Sequence, residues 1–295
     1  MEVRVLRYFL AVAREGSISA AADALHLSQP TLSRQIHDLE EELGAQLFIR
    51  GSRSISLTEA GTLLRQRAEE VVTLIHKTEL EIARPDEIIR GSIHIGSAET
   101  ESIRILADTA EELIRDYPGI KYHLFSGNAD DVMERLDKGL LDFGLLIEPC
   151  DLKKYNEIRL PVQNTWGVLM KKDSPLATKS VIVPDDLYML PLICSGQTKS
   201  FDHIKDWFGE HAEDLNIVAT YNLLYNASIL VEEGLGYVLC LDNLINTTGD
   251  SVLCFRPLSP SVNVSLSFVW KKYQILSAAA DLFLKLLKQK VENQP

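Results

Sequence analysis

Five residues at the start of one predicted helix have the types and spacing needed to contact base edges in DNA. They lie in the segment SQPTLSRQIHDLEEELG and are Gln29, Pro30, Thr31, Ser33 and Arg34. Gln29 can bond bidentately with adenine, Arg34 can reach guanine or a phosphate, and the hydroxyl groups suit several bases. For each residue alone, a solvated polar face is the alternative. Together they predict a recognition helix that enters the major groove by its N-terminus.

Two arginines follow this helix at a predicted turn. The segment AQLFIRGSRSISL has apolar residues on both sides of a Gly-Ser turn, which predicts a two-stranded wing with Arg50 and Arg53 at its tip. Arginines in such a position hold phosphates or enter the minor groove. The wing therefore extends the predicted DNA surface.

The elements that position these residues are predicted from helical spacing. An apolar stripe places one face of the recognition helix on a core; it consists of Leu32, Ile36, Leu39 and Leu43. Two helices precede the recognition helix: an amphipathic helix that stops at Gly16 and a short alanine-rich helix. Ser28 is the predicted N-cap of the recognition helix. This order is that of a helix-turn-helix, with a small helical bundle as the alternative.

The acidic balance of the chain lies away from this region. The formal net charge is −12, yet residues 1–67 contain eight basic and eight acidic residues. Acidic residues in the recognition helix are confined to its last two turns, which places them away from the bases, facing the linker helix. The sequence therefore predicts modest non-specific affinity for DNA, with dimerisation adding to it.

A long helix is predicted from Thr58 to about Arg84, just before Pro85. Its apolar residues repeat almost as a heptad and are Ala60, Leu64, Ala68, Val71, Ile75, Thr78 and Ile82. Because such a helix has little of its own chain to bury against, the seam is predicted to pack on a second subunit. We expect a homodimer through this helix.

From Gly91 onward, predicted strands alternate with predicted helices, as in parallel βαβ units. The pattern predicts two α/β lobes, joined by two crossing strands, with a cleft between them. The expected organisation is a winged helix-turn-helix at 1–58, a linker helix and hinge at 59–90, and an effector-binding domain at 91–295. Lobe I covers about 91–160 and 267–295, and lobe II about 161–266.

The segments LRYFLAVAREGSISAAADALHLSQPTLSRQIHDLEEELGAQLFIR and LTEAG resemble the winged helix-turn-helix of LysR-type transcriptional regulators. Looser motifs continue the resemblance in order: GSIHIGS, LDKGLLDFGLL, KKDSPLA and VEEGLGYVL. The resemblance implies a C-terminal fold like that of periplasmic solute-binding proteins, a dimerising linker helix and often a homotetramer. It also implies binding to double-stranded promoter DNA, modulated by a small-molecule effector.

Ligands of α/β lobes bind where strands end and helices begin. The candidate effector-binding residues at such places are Ser97, Glu99, Thr100, Ser126, Asn128, Ser195, Gln197, Tyr225 and Asn226. Ordinary caps and turns are the alternative for each. Because Glu99 and Glu101 would repel an anion, we expect either a neutral or cationic effector, or carboxylates that point to solvent.

Other classes of protein are disfavoured. No nucleophile, phosphate-loop, zinc-protease or dinucleotide motif is present, so no enzyme activity, cofactor or metal site is expected. The scattered cysteines predict buried thiols, with a redox-responsive regulator that uses Cys194 or another cysteine as the alternative. A solute-binding protein would need an export signal and would have no use for residues 1–90. With no signal peptide or membrane span expected, the predicted location is the cytoplasm.

Overall fold

The computed structural model describes residues 1–50, 55–82, 90–196 and 204–293. They form two compact units, Met1–Pro85 and Asp86–Pro295, and each has its own hydrophobic cores. The division falls inside the segment 59–90 that the sequence assigns to the linker helix and hinge. No described helix is both long enough and apolar enough to cross a membrane.

The described elements of the first unit are helices and one hairpin. They are α1 (Val3–Glu15), α2 (Ile18–Ala24), α3 (Gln29–Leu43), β1 (Phe48–Arg50), β2 (Ile55–Leu57) and α4 (Glu59–Ile82). Gly16 ends α1 with a left-handed φ of 62°, as its type predicts. The side chains of Ser17 and Ser28 accept backbone N–H groups at the starts of α2 and α3.

The predicted apolar stripe of α3 forms part of the core of this unit. Leu32, Ile36 and Leu39 are at most 2% exposed, and they pack with Phe9 of α1 and Leu47 near the wing. The fourth predicted residue was wrong, because Leu43 is 41% exposed at the end of the helix. Leu43 is the last residue of α3, and the chain turns at Gly44, which has a left-handed φ of 63°.

The seam predicted for α4 is also partly wrong. Ala68 is 1% exposed within the core of its own unit, and Ala60 and Leu64 are half-buried against the same core. Among the described side chains of α4, the exposed large apolar ones are Leu63 and Leu74, which lie outside the predicted seam, and Val71, which belongs to it. The first half of the helix therefore finds a partner within its own chain, because α1 runs alongside it.

The second unit alternates strands with helices. Its described elements are β3 (Gly91–Ser97), α5 (Ile103–Asp116), β4 (Ile120–Ser126), α6 (Ala129–Asp137), β5 (Phe143–Ile147), β6 (Tyr155–Lys171), a 3-10 turn (Pro175–Thr178), α7 (Pro184–Leu187), β7 (Leu192–Ser195), a second 3-10 turn (Gly209–Asp214), β8 (Ile217–Tyr221), α8 (Leu224–Glu232), β9 (Tyr237–Leu241), β10 (Leu253–Pro257), β11 (Asn263–Lys271) and α9 (Ala278–Glu292).

The strands lie in the order β4-β3-β5-β11-β6-β9-β7-β8, and β10 pairs with β6. Long strand β6 pairs with β11 from Tyr155 to Thr165 and then with β9 and β10 from Trp166 onward. In lobe I, α5 and α9 cover one face of the sheet and α6 the other. In lobe II, α8 packs on the face opposite α7. The predicted pair of lobes joined by two crossing strands, β6 and β11, is confirmed.

Candidate functional site

The first turns of α3 present the predicted base-contacting residues at the surface. Gln29, Pro30, Thr31 and Arg34 are exposed, and Ser33 is half-buried. Ser28 caps the helix, and its hydroxyl also lies 2.7 Å from that of Thr31. These polar groups stand at the electropositive end of the helix, above a face that is fully buried. The arrangement suits contact with a polyanion through the helix N-terminus.

Arg34 is available for such a contact. Its side chain is 82% exposed, and its distance of 4.0 Å to Asp38 one turn later is at the limit of an ion pair. An exposed pair of this kind contributes less than about 1 kcal/mol, so it does not hold the guanidinium in place. Arg34 can therefore exchange Asp38 for a base or a phosphate at little cost.

The acidic end of α3 serves its own unit. The Glu40 carboxylate accepts the backbone N–H groups of Leu47, at 2.8 Å, and Phe48, at 3.2 Å, and so holds the chain that leads into β1. Glu41 pairs with His37, and Glu42 pairs with the N-terminal ammonium group. The expectation that this acid faces the linker helix was wrong for Glu40 and Glu42, which bind the wing and the N-terminus.

The wing is a regular antiparallel hairpin where it is described. Phe48 pairs with Leu57, and Arg50, the last residue of β1, pairs with Ile55. Arg53 and the side chain of Arg50 lie outside the described residues, so their predicted roles stay predictions.

The wing also contacts the start of α4. The Thr58 hydroxyl donates to the Gln46 carbonyl and accepts the N–H of Gly61, which caps α4 as predicted. A Cβ at Gly61 would lie 2.1 Å from the Leu47 carbonyl oxygen, so only glycine permits this approach.

A cavity of about 330 Å³ lies in the cleft between the lobes of the second unit. It is lined by the loop after β3, the end of β4, the start of α8 and residues 243–245. Five of the predicted effector-binding residues line it: Ser97, Glu99, Thr100, Ser126 and Tyr225. The structure thus brings together residues that are more than a hundred positions apart in the sequence.

Other candidates lie elsewhere. Asn128 caps α6 by accepting the N–H of Asp131 at 2.9 Å, which is the ordinary alternative weighed for it. Ser195 ends β7 and Asn226 lies in α8, and neither lines the cavity. Gln197 is outside the described residues.

A buried polar network that sequence reasoning missed joins the two lobes behind this cavity. The hydroxyl groups of Thr100 and Ser102 donate to Asn164 Oδ1, at 2.8 and 3.0 Å. The amide of Asn164, on crossing strand β6, donates to Asp242 in lobe II at 3.2 Å, and the same carboxylate accepts the N–H of Thr165 at 3.1 Å. The one available signal was an asparagine within a long, mostly apolar strand.

Glu99 forms a second link between the lobes. Its carboxylate accepts the N–H of Leu224, the first residue of α8. The neighbouring Glu101 pairs instead with Arg104 one turn into α5. Of the two carboxylates, Glu99 therefore does not simply point to solvent.

Cys194 and Cys240 offer no reactive thiolate. Burial raises the pKa of Cys194 to about 12 and raises that of Cys240 further, so both stay protonated at neutral pH. They also pack in different cores, on opposite faces of the lobe II sheet. The redox alternative gains no support from these residues. Within the described residues, no three His, Cys, Asp or Glu side chains are grouped as metal ligands.

A second cavity, of about 450 Å³, lies between α5 and α9. Its lysine, Lys290, already bonds Glu112 at 2.9 Å and the Asp108 carbonyl at 3.0 Å. None of the predicted effector-binding residues lines this cavity.

Comparison with known proteins gives matches along almost the whole chain. Residues 3–62 match the family model described as the bacterial regulatory helix-turn-helix protein of the lysR family, and residues 87–292 match the LysR substrate binding domain. YvbU, an HTH-type transcriptional regulator of Bacillus subtilis strain 168, is 29% identical over 98% of both chains. HcaR, the Hca operon transcriptional activator of Escherichia coli K12, is 28% identical over 99% of both chains.

Among solved structures, full-length CbnR in complex with its target DNA has a similar fold. Its TM-score is 0.74 at 21% sequence identity, and the match covers 98% of this chain and 99% of CbnR. At this identity the likeness concerns the fold alone.

Proposed function

Because this chain belongs to the LysR family of bacterial transcriptional regulators, as its sequence motifs predict, we propose that the first turns of α3 read its promoter site. The chain is a DNA-binding transcriptional regulator with an effector-binding domain. The proposed base-contacting residues are Gln29, Pro30, Thr31, Ser33 and Arg34, and Arg50 and Arg53 of the wing are the proposed backbone contacts. Because its target is promoter DNA, the proposed place of action is the cytoplasm.

The observation that carries this proposal is the contrast between the two faces of α3. One face is the buried stripe, and the other presents side chains that can pair with bases; of these, Gln29 and Arg34 have no strong partner among the described residues. Arg34 is 82% exposed and its ion pair is long. Polar side chains held on a rigid, buried support are what direct readout requires.

Binding of full-length protein to the DNA upstream of its own gene tests the proposal, with a scrambled fragment as competitor and a salt series. Arg34→Ala should lose about 1–3 kcal/mol of preference for the specific fragment. Arg4→Ala, which removes an exposed arginine paired with Glu2 at the start of α1, is the matched control and should retain it. Equal affinity of the wild type for both fragments would refute the proposed readout.

We also propose a homodimer through α4, and a homotetramer built from two such dimers. The support is the exposed apolar stripe of Leu63, Val71 and Leu74, on the side of α4 that its own unit does not cover. Leu74→Asp should shift the mass measured by light scattering toward the monomer, because it places a charge in the contact. Leu235→Asp alters a similarly exposed leucine of the second unit, and its mass should match that of the wild type. An unchanged mass for Leu74→Asp would remove α4 from the interface.

The cavity in the cleft is the proposed effector site. Its lining comes from both lobes, so a bound molecule would contact both and could change their arrangement. Ser97, Glu99, Thr100, Ser126 and Tyr225 are the proposed contacts there.

A further inference from the structure

Glu99 takes the place of a capping side chain for α8. It lies in the loop after β3 of lobe I, while α8 belongs to lobe II, and its carboxylate accepts the N–H of Leu224. Leu223, at the N-cap position, provides no side-chain hydrogen bond. The free N–H groups of the first turn of α8 are therefore served, in part, from the opposite lobe.

This contact fills the position that an anionic ligand would use. The N-terminus of a helix favours negative charge, and small anions bind there. A free carboxylate would have to displace one that is held in the same chain at a high effective concentration. Glu101 also lines the cavity and adds repulsion, while its partner Arg104 does not line it and is 75% exposed.

The charge of Glu99 is left without a cation. Within the described part of the chain, Glu99 accepts the N–H of Leu224 and forms no ion pair, and the described lining of the cavity contains no Lys, Arg or His. A half-buried carboxylate is less well solvated than an exposed one, so it binds a cationic donor more strongly.

The rest of the lining is suited to an apolar body. Leu124 of lobe I and Tyr225 of lobe II both line the cavity and are 60% and 66% exposed, so both have surface to bury. Ile103, Leu244 and Ile245 complete the apolar part. Burying such surface contributes about 25 cal/mol for each Å² removed from water.

Resting on the proposed function of the cleft, we propose that its effector is a small amine. The ammonium group donates to Glu99, and the apolar body covers Leu124 and Tyr225. The carboxylate has two oxygens, so the bond to Leu224 is kept while the ligand binds the other oxygen. The ligand thus adds to the link between the lobes without replacing it.

The test uses full-length protein and two sets of matched probes. Benzylamine is compared with phenylacetate and benzyl alcohol, and hexylamine with heptanoate and hexanol, so that within each set only the polar group changes. Unfolding is followed by tryptophan fluorescence, since Trp166, Trp207 and Trp270 all belong to the second unit. At least one amine should raise the Tm by about 2 °C or more when in excess over its Kd, and its matched carboxylate should not.

Two variants locate the effect. Glu99→Gln removes the charge but keeps an oxygen that can accept the N–H of Leu224, and it should weaken amine binding by about tenfold or more. Glu111→Gln removes the same charge from an exposed position on α5 and should leave amine binding unchanged.

A larger shift with the carboxylate, an unchanged amine shift in Glu99→Gln, or no shift with either amine would each overturn the inference. Promoter binding by the same preparation separates this outcome from the wider proposal. Specific promoter binding without amine binding overturns the ligand class alone, whereas wild-type protein that shows no promoter preference overturns the proposed readout.

Discussion

The two functional regions of this protein treat their polar side chains in opposite ways. At the first turns of α3, Gln29 and Arg34 project from a helix whose other face is buried, and within the described part of the chain no strong bond holds them. In the cleft, Thr100 and Glu99 are already bonded, to Asn164 and to Leu224. The first arrangement fits the proposed contact with a large external partner, while the second fits the proposed effector site, in which two lobes are held together around a small molecule.

This difference predicts where a substitution acts. In the first unit, stability should depend on the buried apolar face of α3. The exposed polar residues of its first turns should affect DNA binding but not stability. In the cleft, a polar substitution should affect stability and ligand response together, because the same side chains serve both.

The largest effect is expected from Ile36→Ala, on the buried face of α3. Ile36 is 1% exposed, so its truncation leaves a cavity and should cost about 2–5 kcal/mol of stability in the first unit. Hydrogen exchange of the α1–α3 amides in the full chain measures the loss, and specific DNA binding should fall with it. Gln29→Ala is the counterpart: it should weaken specific binding while amide protection stays at the wild-type level. If Gln29→Ala lowers the amide protection as Ile36→Ala does, then Gln29 contributes to stability and is not a residue that acts in DNA binding alone.

A smaller effect is expected from Asn164→Leu in the cleft. It removes the acceptor of the Thr100 and Ser102 hydroxyl groups and leaves Asp242 without a side-chain donor, which should cost about 1–3 kcal/mol in the second unit. Denaturant unfolding followed by tryptophan fluorescence gives the value.

The matched control for this variant is Asn263→Leu on crossing strand β11, where the asparagine is exposed; it should change stability by less than about 0.5 kcal/mol. Equal losses in the two variants would show that the network adds nothing to the junction of the lobes.

The smallest effect concerns pH and the crossing strands. Burial disfavours the charged form of Glu148, but hydrogen bonds from Arg159 and Ser267 outweigh it and lower the pKa of this carboxyl group below its ordinary value of 4.5. Its contribution to stability is therefore present above that value and is lost as the pH falls through the lower, folded-state pKa. Glu148→Gln should flatten the acid limb of a stability–pH curve for the second unit and change little at pH 7 beyond a constant offset. An acid limb of unchanged slope would contradict this role.

The contrast between the regions also explains what the sequence could predict. The caps, the first three residues of the α3 stripe and the exposed start of that helix follow from spacing within about fifteen residues, and they are found where predicted. The bonds of the cleft join residues 62, 78 or 125 positions apart, and no local pattern pairs Asn164 with Thr100 or Asp242. The seam of α4 was misjudged for the same reason: helical spacing identifies Ala68 as part of one face but not the partner that covers it.

The close approach at Gly61 couples the start of the long helix α4 to the wing. Because the helix starts in direct contact with the chain that enters β1, we expect the helix and the wing to rotate together as one rigid element. Its 24 residues extend for about 36 Å, so a tilt of roughly 5° at one end displaces the other by about 3 Å. A displacement of that size is comparable with the length of a hydrogen bond. A small rotation of α4 would therefore be enough to make or break the proposed contact between the wing and a DNA phosphate.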